Sequence, residues 1–135
     1  KFIGDAVMAM WNAPNDQDDY VYKMCAGALA VEDASEALCR KNPDRALHTC
    51  MGLHVGPAAI GNVGSSKRMN YTAMGKNVNI AARVEGINRK YRTRILATQA
   101  VYDRAKDRYE FRAVDKVALK GLSKKQFLYE LLGSK

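Results

Sequence analysis

Val21, Met24, Cys25, Ala28, Val31, Ala34 and Leu38 recur at steps of three and four residues. That period predicts a helix over about 18–40 with one apolar stripe. Asp16, Asp18 and Asp19 suit its start, by capping and by the helix dipole, and Asn42-Pro43 ends it. Such a stripe needs a second layer to cover it, so the rest of the chain is read for what can supply one.

Most of the rest reads as strand. Lys1-Phe2-Ile3 reads as a strand end and Gly4-Asp5 as a hairpin tip, followed by a short buried strand over Ala6–Trp11. Residues 46–55 alternate, with Leu47, Thr49, Met51, Leu53 and Val55 on one face. Gly56-Pro57 breaks that run, and Ala58–Val63 reads as its hairpin partner, with a polar loop over Gly64–Asn70. A helix follows over Asn77–Arg89, with Val78, Ala81, Ala82 and Ile87 available for packing. Ile95–Ala97 is a short buried strand, and Thr98 can cap a helix to about Ala105. Phe111–Leu119 and Gln126–Leu132 are the last strands, joined by residues 121–125. Strands interleaved with helices, with hairpins among them, predict an α+β or mixed-sheet sandwich in one domain over 1–135.

Composition narrows the function only coarsely. The chain has 135 residues, 47% of them hydrophobic, enough for a core. No apolar run approaches the roughly 18 residues of a membrane span, and no signal-peptide pattern is visible. The net charge of +8 suits either a solvated basic face or a polyanionic partner. The basic residues are scattered, with only small clusters at Arg89-Lys90 and Lys124-Lys125, unlike a nucleic-acid tail. Cys25, Cys39 and Cys50 lack metal-type spacing and read as small buried hydrophobes in a reducing compartment. His48 and His54 read as strand residues, not ligands. Gly56, Gly61 and Gly64 read as turn glycines, and no Walker-type loop is present.

Four segments carry chemistry-bearing residues: Lys-Phe-Ile-Gly-Asp-Ala at 1–6, Gly-Asn-Val-Gly-Ser-Ser-Lys-Arg-Met-Asn-Tyr-Thr at 61–72, Met-Gly-Lys-Asn-Val-Asn-Ile-Ala-Ala-Arg at 74–83, and Leu-Lys-Gly at 119–121. Read alone, Asp5 is a turn aspartate and Lys1 a solvated strand end. Thr72 is then a loop hydroxyl, Asn79 and Arg83 a polar stripe on one helix face, and Lys120 a hairpin lysine. Each motif alone is weak. Together, in this order, and with Leu-His-Val-Gly at 53–56 and Tyr-Glu-Leu-Leu-Gly at 129–133, they closely resemble the class III adenylate and guanylate cyclases over essentially the whole chain.

The resemblance implies a ferredoxin-like βαββαβ sandwich and a role for each residue. Asp5 is implied as one of two aspartates holding two Mg2+ (or Mn2+) ions per active site, which favour carboxylate and phosphate oxygens. Lys1 and Thr72 take the two positions that read the purine. A lysine donor and a hydroxyl acceptor match adenine N1 and its 6-amino group, whereas guanine presents the reverse pattern. Many adenylate cyclases have Asp where Thr72 stands. Asn79 is implied to orient the ribose, Arg83 to bind the α-phosphate, and Lys120 to meet the terminal phosphates.

The implied activity is conversion of ATP to cyclic AMP at sites shared across a homodimer, with no nucleic acid as partner. A guanylate cyclase and an inactive cyclase-homology module for nucleotide sensing or dimerisation are the alternatives. The family's first strand, its first metal aspartate and the following helices have no counterpart in these residues. The chain taken by itself is therefore expected to be poorly active or inactive. An upstream regulatory or sensor domain is expected in the parent, at a cytoplasmic location or on the cytoplasmic face of a membrane protein.

Overall fold

The computed structural model describes residues 1–45 and 48–135. Its elements in chain order are β1 (Phe2–Ile3), β2 (Ala6–Val7), α1 (Tyr20–Lys41), β3 (Met51–Leu53), β4 (Ala59–Ser65), β5 (Arg68–Met74), α2 (Lys76–Tyr91), β6 (Ile95–Thr98), α3 (Gln99–Ala105), β7 (Tyr109–Val117) and β8 (Gln126–Ser134). The architecture is α+β, as expected, and rests on a mixed four-stranded sheet of order β3-β6-β8-β7.

β6 is the centre of this sheet. It pairs in parallel with β3 and antiparallel with β8. All four of its residues are buried, because both faces of the sheet are covered. Alternation along the strand sends Ile95 and Ala97 into one cluster with Val21, Met24 and Cys25 of α1, Val101 and Ala105 of α3, and Leu131. It sends Leu96 into another with Ile80 and Val84 of α2, Leu119 and Leu128. Each fully buried Ile or Leu here contributes about 1.5–3 kcal/mol relative to exposure.

α2 sits on β3 with no side chain between them at one point. A Cβ at Gly52 would overlap the carbonyl oxygen of Ala81 and the amide nitrogen of Glu85. Glycine is what permits this backbone-to-backbone approach. Below it, Asn88 Nδ2 donates to the Met51 carbonyl at 2.9 Å, and Asn88 Oδ1 accepts from the Thr93 hydroxyl at 2.8 Å. Beyond Tyr91, Arg92 adopts the left-handed conformation that closes the helix, and the Tyr91 hydroxyl donates to the Asp115 carboxylate of β7.

Several sequence expectations need correction. Residues 6–11 form only a two-residue strand, exposed at Ala6 and Val7, paired with β1. β3 does not form a hairpin with the following strand; it pairs with β6. The expected positions Ala46 and Leu47 lie outside the described residues. The hairpin is instead β4–β5, with Ser65 opposite Arg68 and a two-residue turn at Ser66-Lys67, across the stretch expected to be a loop. Its ordering comes from the backbone ladder and not from an apolar face, which is why alternation did not reveal it. Gly61 and Gly64 lie within β4 and not in turns.

α1 buries the expected Val21, Met24, Cys25 and Ala28, but the helices depart from the reading elsewhere. α2 buries Ile80, Val84 and Asn88, while Ala82 is exposed. α1 leaves Val31 and Leu38 exposed. Asp19 at its N-cap makes no side-chain cap and pairs with Lys23 at 3.4 Å. Only Cys25 of the cysteines is fully buried; Cys39 and Cys50 are half-buried.

Candidate active site

Arg83 and Lys120 come together although 37 residues separate them. Arg83 Nη1 donates to the Lys120 carbonyl oxygen at 2.9 Å. The reason is local to the turn after β7. Leu119 is buried in the cluster of Ile80 and Val84, which pins the turn onto α2. Gly121 takes φ +101°, and a Cβ there would lie 3.2 Å from Ile80 Cγ1 and 3.8 Å from Arg83 Nη1. Asn79 lies one turn earlier on α2 and is exposed.

Thr72 is the buried residue of β5, 3% exposed, opposite Gly61 in the ladder. Its hydroxyl donates to the Ala73 carbonyl over a long 3.4 Å. That donation leaves the oxygen lone pairs as the group it can offer to a ligand.

Lys1 and Asp5 lie on the small β1–β2 hairpin, where the Met8 amide donates to the Lys1 carbonyl at 2.7 Å. Asp5 sits at the tip and both residues are exposed. Among the described residues no hydrogen bond or ion pair links Lys1 or Asp5 to Thr72, Asn79, Arg83 or Lys120. Nor do the described residues hold a cluster of three or more His, Cys, Asp or Glu side chains. Asp5 therefore offers one exposed carboxylate, a donor set that suits a hard cation completed by phosphate and water oxygens.

The electrostatics favour an anion. The described ion pairs are Lys23 with Asp19, Arg94 and His48 with Glu36, and Arg112 with Glu130. None involves Lys1, Arg83 or Lys120, so these cations are uncompensated by carboxylates.

One further constellation escaped the sequence reading. His54, just past β3, is hydrogen-bonded through both ring nitrogens: Nδ1 with the Thr98 hydroxyl at 2.8 Å and Nε2 with Asn77 Oδ1 at 2.9 Å. Burial pushes its pKa below the ordinary value; the Asn77 bond opposes that shift and the Arg104 charge adds to it. Thr98, expected to cap α3, makes no side-chain cap and is engaged by His54. The available signal was a histidine at a strand end followed by Val-Gly-Pro, which by itself does not name a partner 23 residues away.

The family model of the adenylate and guanylate cyclase catalytic domain matches residues 1–133, and the chain belongs to that family. It is 41% identical over 136 residues to adenylate cyclase 1 of Rhizobium meliloti (strain 1021), covering 98% of this chain and 20% of the relative. It is 31% identical over 144 residues to an adenylate cyclase of Anabaena cylindrica, covering 97% of this chain and 27% of the relative. The chain thus spans about a quarter or less of the length of these relatives. Among solved structures, the adenylyl cyclase CyaB from P. aeruginosa superimposes with a TM-score of 0.81 at 27% identity, covering 100% of this chain and 71% of that one. The guanylyl cyclase Cya2 gives 0.80 at 25% identity, covering 100% and 69%.

Proposed function

We propose that this chain is the catalytic part of an adenylate cyclase that converts ATP to 3′,5′-cyclic AMP and pyrophosphate. The observation that carries the reading is the bond between Arg83 and the Lys120 turn. It ties Arg83, which has no carboxylate partner among the described residues, to the main chain of the Lys120 turn, one helical turn from an exposed asparagine, on a domain whose similar proteins include adenylate cyclases.

In this reading Arg83 meets the α-phosphate and Asn79 orients the ribose. The 3′-oxygen attacks the α-phosphorus in line, forming the new P–O bond as the bond to the β-phosphate oxygen breaks. The hydroxyl proton passes to solvent and pyrophosphate leaves. Arg83, planar and always charged, suits the charge that grows on the phosphoryl oxygens during attack. Lys120 holds the terminal phosphates as a point charge. Asp5 would hold Mg2+ or Mn2+, two ions per site, as one of two aspartates, and the bound ions would acidify the 3′-hydroxyl and neutralise the leaving group. Most of the rate comes from positioning and electrostatics.

Thr72 supports adenine over guanine. With its proton committed to the Ala73 carbonyl, the hydroxyl oxygen accepts from the 6-amino group of adenine and opposes the O6 acceptor of guanine. Lys1 donates to adenine N1 in the same scheme.

The domain works as a homodimer with Asp5 from one protomer and the other five residues from its partner. The β4–β5 hairpin supports this, since it exposes Ile60, Val63, Met69, Tyr71 and Met74. No helix among the described residues is long and apolar enough to cross a membrane. The proposed setting is cytoplasmic, under an upstream regulatory domain.

The test is cyclic nucleotide production by the full-length parent, with ATP and GTP in parallel and magnesium or manganese present. Cyclic AMP well in excess of cyclic GMP is expected. Excess cyclic GMP would reassign the substrate, and no product from a folded dimer would assign a nucleotide-sensing module.

A further inference from the structure

We infer that His54 and Asn77 are positioning residues that set the register of α2 along β3, and with it the places of Asn79 and Arg83. The inference deepens the cyclase reading and rests on it for its effect on turnover.

The hydrogen bonds assign every polar atom in the cluster. The Pro57 carbonyl can only accept, so the group 2.6 Å from it is the Asn77 amide nitrogen. Asn77 Oδ1 therefore faces His54 and accepts from Nε2–H at 2.9 Å. The neutral ring then has an unprotonated Nδ1, which accepts from the fully buried Thr98 hydroxyl at 2.8 Å. Three segments meet here: the end of β3, the junction of β6 with α3, and the first turn of α2. Gly56 leaves the room for this, since a Cβ there would lie 2.6 Å from Asn77 Nδ2.

The contacts of α2 with β3 and the residues after it run in opposite chain directions. Asn88 meets Met51, Ala81 and Glu85 meet Gly52, and Asn77 meets His54 and Pro57. The lower two contacts stop the helix approaching or leaving the strand at its C-terminal half. The His54–Asn77 bond holds the N-terminal half, where Asn79 lies two residues further on. Without it the start of α2 keeps the Asn77 bond to the Pro57 carbonyl and the apolar contact of Ile80, but loses the side-chain link to His54 and, through it, to Thr98. A displacement of about 1 Å at such a site is enough to cost roughly 100-fold in rate.

The experiment compares the full-length parent with His54→Ala and Asn77→Asp. The second variant keeps the acceptor for His54 and loses the donor to Pro57, and serves if the first does not fold. Two readouts are taken: kcat and KM for ATP, and amide hydrogen exchange over residues 76–83. The expected result for His54→Ala is a kcat lower by about 10–100-fold with KM changed by less than about threefold, and faster exchange confined to 76–83. Asn77→Asp is expected to fall between it and the parent in both readouts. A folded variant with unchanged kcat, from an active parent, overturns the inference. If the parent itself makes no cyclic nucleotide, the cyclase reading fails separately. The register assignment is then decided by exchange alone: unchanged rates over 76–83 overturn it, and faster rates support it.

Discussion

The guanidinium of Arg83 is anchored by the backbone carbonyl of Lys120, 2.9 Å from Nη1, and by no carboxylate among the described residues. A neutral anchor orients the side chain without cancelling its charge. An aspartate in the same place would bind Arg83 more strongly and leave less positive potential for a phosphate. The remaining N–H groups of the guanidinium stay available, and the planar fork can still take up two oxygens of one phosphoryl group.

Arg83→Ala is expected to lower turnover of ATP by about 100–1000-fold, the usual loss for one donor aimed at developing phosphoryl charge. Binding of a non-reacting ATP analogue should weaken far less. Arg83→Lys should not restore turnover, because a point charge lacks the fork. Steady-state kinetics with calorimetric binding decides this; unchanged turnover in Arg83→Ala removes the assigned role.

Gly52→Ala should destabilise the fold by roughly 1–3 kcal/mol or more, because the added carbon meets backbone that cannot step aside. Gly86→Ala, within α2 and with nothing near the new Cβ, should stabilise by about 0.5–1 kcal/mol. Urea unfolding of both variants checks the pair. Equal effects would show that α2 does not rest on Gly52.

Stability should fall as the pH drops from 7.5 to 5.5, in part through His54. Its folded pKa lies below the ordinary 6.5, with burial as the main cause. The unfolded chain therefore takes up the proton first. The stabilisation is complete above about pH 6.5 and is lost as the pH falls toward the folded value. Arg104 on α3 acts in the same direction, and the Asn77 bond against it. His54→Gln should flatten the dependence of the urea midpoint over this range. An equally steep profile in the variant would assign the effect elsewhere.

Iodoacetamide at pH 8 should modify Cys39 and Cys50 before Cys25. Burial pushes the Cys25 thiol up to about 11, leaving little thiolate, and its side chain is inaccessible. Peptide mass spectrometry over time reads the order. Cys25 labelled as fast as the other two would mean that α1 opens readily from the sheet.

What could be read from the sequence follows from what carries each element. α1 was legible because its apolar residues repeat at the helical period, whereas α3 was read from Thr98 as a cap that the structure does not form. β3 was read from the alternation over 46–55, but alternation marks a face and not a partner, so its parallel pairing with β6 could not be inferred. Gly64–Asn70 reads as a polar loop, yet most of it completes a hairpin held by main-chain bonds that any polar residue can make. At the candidate site, Arg83 and Asn79 could be named because their spacing and motif are local. Their supports were not. The Lys120 carbonyl has no side-chain signature, and His54 becomes meaningful only when Asn77 and Thr98 arrive from elsewhere in the chain.

The seat of α2 on Gly52 has a mechanical consequence. A joint made between two main chains contains no rotamers, so it has almost no compliance: it holds its spacing or it separates. α2 thus serves as a datum for the molecule. Around that joint, the stretch from Ala81 to Glu85 is the fixed reference against which the start of the helix, the 59–74 hairpin and the 118–125 turn are placed.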